Sequence, residues 1–123
     1  MVIKYLDRYR DTLYGDVEAL EEVYKKIKAD ELVINDNKDS AETIKAIIAK
    51  LDPGDTLIIR NLGVLGNSIE QSLERAIRLL YKGVNIKILN VELDIKANDK
   101  DKLNLLRSLL KDCTYYNLDK LID

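Results

Sequence analysis

The sequence contains no histidine. That removes both the side chain most often used as a general base and the one most often used as a metal ligand. There is a single cysteine, Cys113. A lone thiol closes no internal disulfide, which points to a reducing compartment, and a zinc site would need several thiolates or imidazoles. Lying in a leucine-rich segment, Cys113 reads as a small packed hydrophobe. No apolar run approaches the roughly 20 residues of a membrane span. The opening Met1-Val2-Ile3-Lys4 has no signal-peptide pattern. The expectation is a cytoplasmic protein with no membrane partner.

A basic stripe is also missing. Formal net charge is −2 and the pI is about 5.3. From Asp94 onward, six Lys/Arg are balanced by six Asp/Glu. The densest basic run, Lys25, Lys26 and Lys28, reads as the solvated face of a helix rather than a phosphate patch. DNA is therefore expected to be a weak partner at most.

What remains is a globular composition, 46% hydrophobic and 34% charged, over 123 residues. That length suits one domain, 1–123, with a real core and no staples. No break in composition marks a second domain.

Periodicity supplies the order of elements. Val2 to Leu6 reads as a strand, followed by a polar stretch from Asp7 to Thr12. Asp16 is expected to cap a first helix whose apolar face is Val17, Leu20, Tyr24 and Ile27. Leu32-Val33-Ile34 is a second strand. Asp39 with Glu42 has the spacing of an acidic capping box for a second helix, with Ile44, Ile47, Ile48 and Leu51 buried. Pro53-Gly54-Asp55 stops that helix. Thr56 to Arg60 is a continuous apolar run suited to a strand covered on both faces. A third helix from Ser68 is expected to bury Ile69, Leu73, Ala76, Ile77 and Leu80, with Gly83 at its C′ position. Asn85 to Val91 is a fourth strand. A last helix presents Leu103, Leu106, Leu109, Leu110 and Cys113. The alternation predicts an α/β fold: one three-layer domain with a mostly parallel sheet of four strands or slightly more.

In such a sheet, ligands bind outside the carboxyl ends of the strands. Here those ends are Asp7–Tyr14, Asn35–Asp39, Asn61–Asn67 and Glu92–Lys96. The loop from Leu62 to Ser68 carries Gly63 and Gly66 into a helix and offers amides to an anion. It has neither Walker A nor dinucleotide spacing, so a plain strand-to-helix turn is the simpler reading. Asp7, Asp11, Asp36 and Asp39 share oxygen-ligand chemistry suited to Mg²⁺, yet these residue types also serve as caps and turns, and no metal is assigned. Tyr5, Tyr9 and Tyr14 are chemically competent nucleophiles only beside a base or an arginine cluster, and they read as core-edge aromatics. No cofactor is implied.

The segment Gly54-Asp55-Thr56-Leu57-Ile58-Ile59-Arg60-Asn61-Leu62-Gly63-Val64-Leu65-Gly66-Asn67-Ser68 resembles the signature of the serine recombinases of the resolvase/invertase family. That pattern is Gly-Asp, an apolar strand, then Leu-Asp-Arg-Leu-Gly-Arg followed by Ser or Asp. Gly54, Asp55, Leu62, Leu65, Gly66 and Ser68 match it. Lys82-Gly83-Val84 and the strand after it are similar to the next family element, and the likeness runs from about Val2 to Leu110.

The departures fall on the chemistry that the resemblance implies. Where the family has Tyr-x-Arg-Val-Ser, this chain has Tyr5-Leu6-Asp7-Arg8-Tyr9, so Tyr9 stands at the nucleophilic serine and Asp7 at the arginine. Sliding by one residue restores Arg8 and puts Arg10 at the nucleophile. The family's loop Asp, Arg and Arg correspond to Gly63, Val64 and Asn67. Ala41 stands at the arginine before the second helix. The final helix has no Glu-Arg-Arg, and no helix-turn-helix domain follows. Phosphoryl transfer needs positive groups on the non-bridging oxygens, so losing arginines and nucleophile together removes the reaction.

The resemblance thus implies a resolvase-like catalytic domain without its catalytic residues. It would be kept as a protein-interaction or recombination-associated module and would homodimerise through the last helix (Leu103, Leu106, Leu109, Leu110). Those leucines equally suit closure of the chain's own core. Two other readings are a working recombinase or nuclease using Tyr9 with Arg8 or Arg10, and a nucleotide- or anion-binding domain at Gly63–Ser68.

Overall fold

The computed structural model describes residues 1–11 and 17–122. Strand β1 (Val2–Asp7) is followed by a one-turn helix α1 (Arg8–Asp11) and then helix α2 (Val17–Lys26). Strand β2 (Glu31–Asn35), helix α3 (Ala41–Lys50), strand β3 (Thr56–Ile59) and a 3₁₀ turn (Leu62–Leu65) come next. Helix α4 (Ile69–Lys82), strands β4 (Asn85–Ile88) and β5 (Leu93–Ile95), and helix α5 (Lys100–Ile122) complete the order. The expected Asp16 cap and Tyr14 lie outside the described residues.

The five strands form one sheet in the order β2-β1-β3-β4-β5. All neighbours are parallel except β4 and β5. The α/β reading holds, with one strand more than four. The run Asn85–Val91 is not one strand. It ends at Ile88, turns through Glu92 at φ 50°, and returns as β5 with Ile88 opposite Leu93. A left-handed residue closes a tight hairpin, and a glutamate gives little sequence warning of it.

Strand alternation divides the interior. Ile3, Tyr5, Leu57, Ile59, Ile86 and Ile88 face the larger core with Ile44, Ile47, Leu73, Ala76, Leu79, Leu80 and Leu106. Helices α3, α4 and α5 therefore share one side of the sheet. On the other side, α2 lays Tyr24 against Leu6 and Ile58. Each large aliphatic buried in this way contributes roughly 1.5–3 kcal/mol. The second side is only partly covered. Lys87 and Asp94, in register with Ile58 and with each other, are exposed on it.

Charged and polar groups fix the helices in place. The Lys4 ammonium, buried on the α2 side, donates to the carbonyl oxygens of Tyr24 and Ile27 at the end of α2. The Tyr24 oxygen also accepts from the Ile27 amide at 3.2 Å, and a cation suits the negative end of a helix. The Tyr24 hydroxyl donates to the Tyr5 carbonyl oxygen at 2.9 Å.

At α3 the expected capping box does not form. The helix begins one residue later, behind Ser40, and the Asp39 Oδ1 accepts from the Ala41 amide at 3.0 Å. Glu42 then falls at the second helical position, from which its side chain does not reach back.

At α4 the Ser68 Oγ accepts from the Gln71 amide at 3.1 Å, and the Gln71 Oε1 accepts from the Asn67 amide at 2.6 Å. This is a reciprocal cap of the Ser-x-x-Gln kind. Ile69, expected in the core, is 71% exposed. It holds the first helical position, a turn before the apolar stripe of α4 reaches the sheet. Gly83 ends the helix at φ 96°, as its sequence position predicts, with the Val84 amide reaching back to the Leu79 oxygen at 3.0 Å.

Candidate active-site edge

The strand order reverses between β1 and β3, since β1 connects outward to β2 while β3 lies on the opposite side of β1. The carboxyl ends at this switch point, Asp7 of β1 and the turn after Ile59, are where an open α/β sheet binds ligands. Asp7, Arg8, Tyr9 and the turn carrying Gly63, Val64 and Asn67 lie on this edge.

Asp7 is fully buried there, and its Oδ2 accepts from the Tyr5 hydroxyl at 3.0 Å. Across the β1–β2 ladder, Asp7 is in register with Asn35, which is also buried. The Asn35 side-chain amide donates to the Asn37 carbonyl at 2.7 Å, and its Oδ1 accepts from the Thr43 hydroxyl at 3.3 Å. This is a polar network turned inward, holding the β2–α3 loop.

Arg8 turns outward. Its Nε donates to the Glu21 Oε1 at 2.6 Å and its Nη1 to the Asp36 Oδ1 at 2.9 Å. Hydrogen bonds from Glu21 and then Asp36 hold its pKa above the usual guanidinium value. Two carboxylates thus neutralise the one arginine beside Tyr9 whose side chain is described. Tyr9 itself is partly exposed on α1.

The loop after β3 is packed rather than open. Val64 and Leu65 are buried in the main core, and Gly66 is buried against α4. A Cβ on Gly66 would stand 2.8 Å from the Ser72 amide nitrogen, which is why only glycine lets the turn lie this close to the helix. Gly63 and Asn67 lie at the surface. The Val64 amide points to the Asn61 oxygen at 3.4 Å, and the Asn67 and Gln71 amides serve the cap of α4. Three amides of this loop and cap, those of Val64, Asn67 and Gln71, are thus engaged within the chain.

Three of the four aspartates considered as a Mg²⁺ set do not converge, and the Asp11 side chain lies outside the described residues. Asp7 is buried with Tyr5, Asp36 pairs with Arg8, and Asp39 caps Ala41. Among the described residues, no group of three or more His, Cys, Asp or Glu side chains has the arrangement of a metal centre.

A concavity of about 710 Å³ lies at the opposite, amino edge, lined by Gly54, Tyr81, Gly83, Asn85 and Lys96. It is a shallow trough whose polar groups serve structure: the Asn85 Oδ1 accepts from the Ala97 amide at 2.8 Å, and the Gly54 amide donates to the Gly83 oxygen at 2.8 Å.

The last helix resolves into two stripes. Leu106 is buried in the main core, with Leu103, Leu110 and Cys113 packed against it. These close the chain's own core, so three of the four leucines expected at an interface are spent inside. Leu109 is 44% exposed and Leu105 59% exposed, one turn apart on the outer side. A leucine-rich helix offers no contrast between its faces, so the sequence pattern did not separate Leu105 and Leu109 from the leucines that turn inward. At about 1.5 Å per residue, the 23 residues of α5 extend well beyond the 14 of α4.

Among the described residues, no helix is long and apolar enough to cross a membrane. No protein-family model matches this chain, and no curated protein matches it either.

Proposed function

We propose that the chain is a catalytically inactive relative of the serine recombinase catalytic domain, kept as an interaction module that self-associates through α5. The observation that carries this reading is the state of the carboxyl edge. No aligned position whose side chain is described offers an unpaired cation to a transferring phosphoryl group. Asp7 is an inward-facing carboxylate, Gly63 has no side chain, and Val64 is an aliphatic group in the core. Asn67 is neutral. Arg8 is already paired with two carboxylates. Transition-state charge on phosphorus needs preorganised cations, worth a few kcal/mol each.

Leu105 and Leu109 support the self-association half of the reading. They form an exposed apolar pair one turn apart on α5, a pattern suited to a second helix of the same kind. The domain's DNA role, if retained, would be indirect and carried by its partners.

Light scattering coupled to size exclusion tests the proposal on the full chain. The expected result is a dimer for the wild type and a monomer of unchanged thermal stability for Leu105→Asp/Leu109→Asp. A monomeric wild type at about 100 µM, a concentration that populates even weak self-association, would overturn the interface. Formation of a covalent protein–DNA adduct on supercoiled plasmid, lost in Tyr9→Phe, would overturn the inactive assignment.

A further inference from the structure

The exposed leucine pair on α5 is bounded at each end by a carboxylate. Asp101 lies four residues before Leu105, and Asp112 lies three residues after Leu109. Residues at these spacings are adjacent on a helix surface. Both aspartates are exposed, and neither carboxylate has an ion pair or hydrogen bond among the described residues. No Lys or Arg stands three or four residues from either one. Lys102, on the other flank of Leu105, is turned to its own domain: its ammonium donates to the Asp94 oxygen at 3.0 Å and pairs with Asp99 at 3.6 Å. Arg107 lies on the side of α5 toward α4, its guanidinium 5.9 Å from the Tyr81 ring. Asp101 has an account within the domain, since an acid suits the first turn of a helix. Asp112 has none, because it stands near the middle of the 23 helical residues, where the helix dipole gives an acid no support.

We infer that self-association through α5 is regulated by ionic strength, the two carboxylates opposing a second copy at low salt and admitting it once they are screened. This rests on the self-association proposed above. Pairing the stripe with a copy of itself brings four carboxylates to one seam in either direction. Run antiparallel, with Leu105 against Leu109, Asp101 comes level with the second copy's Asp112. Run parallel, each aspartate meets its own counterpart. The apolar part of the seam is small, two part-exposed leucines from each copy, so the charge at its ends decides the balance. Screening moves that balance because the reach of exposed charges falls from about 30 Å at 10 mM salt to about 3 Å at 1 M.

Sedimentation equilibrium of the full-length protein at 10 mM and 1 M sodium chloride tests the inference. The dimer is expected to tighten about tenfold over that range, the scale of a few exposed like-charge contacts. Asp101→Asn/Asp112→Asn is expected to associate at 10 mM salt as tightly as the wild type does at 1 M, with little further change. Asp112→Asn alone, remote from the helix end and so without effect on its first turn, is expected to give part of the same gain. A wild-type dimer indifferent to salt would overturn the inference. So would an equal rise with salt in the wild type and the double variant, which would assign the effect to salting-out of the leucines. A wild type and variants that all stay monomeric at about 100 µM in 1 M salt would instead overturn the α5 interface itself.

Discussion

The Tyr5 hydroxyl donates to the Asp7 carboxylate at 3.0 Å, both side chains being fully buried at the carboxyl end of β1. Two residues apart on a strand, they point to the same face, toward α3 and α4. A carboxylate in that place depends on donors for its stability. Tyr5→Phe is therefore expected to cost about 1.5–3 kcal/mol, the range for a hydrogen bond to a charged group. Urea melts at neutral pH measure this directly. A change below about 0.5 kcal/mol would mean that other donors carry Asp7 unaided.

A second buried charge makes a different prediction. Lys4 on β1 reaches the end of α2 and satisfies the Tyr24 and Ile27 carbonyl oxygens. Lys4→Met keeps the stem's volume and leaves those carbonyls without their cation. The expected loss is about 1–3 kcal/mol, with hydrogen exchange accelerating first in α2. Uniform acceleration across the sheet instead would show that α2 does not open separately.

The contact between the 3₁₀ turn and α4 yields a matched pair of substitutions. Gly66→Ala puts a methyl 2.8 Å from the Ser72 amide and 2.9 Å from Gln71 atoms, so the turn must lift from the helix, at an expected cost of about 1–3 kcal/mol. Ser72→Ala should behave oppositely. Its hydroxyl is buried with no hydrogen-bond partner, so its removal is expected to be neutral or to stabilise by a few tenths of a kcal/mol. Chemical denaturation of the two single variants separates the cases.

The pair formed by the Met1 ammonium and Asp55, 2.7 Å apart, shapes the pH profile. The hydrogen bond from the Met1 ammonium, helped by the Asp52 amide, holds the Asp55 carboxyl below its ordinary value of about 3.8. Its contribution is complete above that value and is lost as pH falls through the lower folded value. The same hydrogen bond holds the Met1 amine above its ordinary value of about 8.0. Its contribution is complete below that value and is lost as pH rises through the higher folded one. Thermal melts are expected to show a plateau between these limits. Acetylation of Met1 should abolish the alkaline decline and shrink the acid limb to what the Asp52 amide sustains, and Asp55→Asn should abolish both limbs. An alkaline decline that survives acetylation would assign it to other groups.

Much of the scaffold was legible because burial imposes period. The continuous run Thr56–Ile59 marked a central strand, and Gly83 marked the end of α4 by the left-handed backbone it alone adopts cheaply. The hairpin through Glu92 was hidden, since a positive φ at a glutamate leaves no compositional trace. Ile69 misled because an apolar residue at a helix's first position fits the stripe in spacing while extending beyond the core. The last helix was harder still. Leucines on both sides gave no clue that Leu103, Leu106 and Leu110 turn inward while Leu105 and Leu109 do not.

The sheet ends at β2, and among the described residues no strand lies beyond it. Leu32 and Ile34 are partly exposed on its α2 side, in register with Lys4 and Leu6. Five residues of unpaired peptide edge with two such side chains form a template on which other chains could assemble as ribbons. Acidic groups bound this strand at both ends: Glu31, clasped by Lys50, and Asp36, held by Arg8. Those ion pairs do little for the domain's own stability, being exposed. Their contribution is to the edge: hydrated, ion-paired groups at both ends of β2 would have to shed water before another strand could stack there. The outer edge of this sheet is thus guarded by two ion pairs rather than by another element.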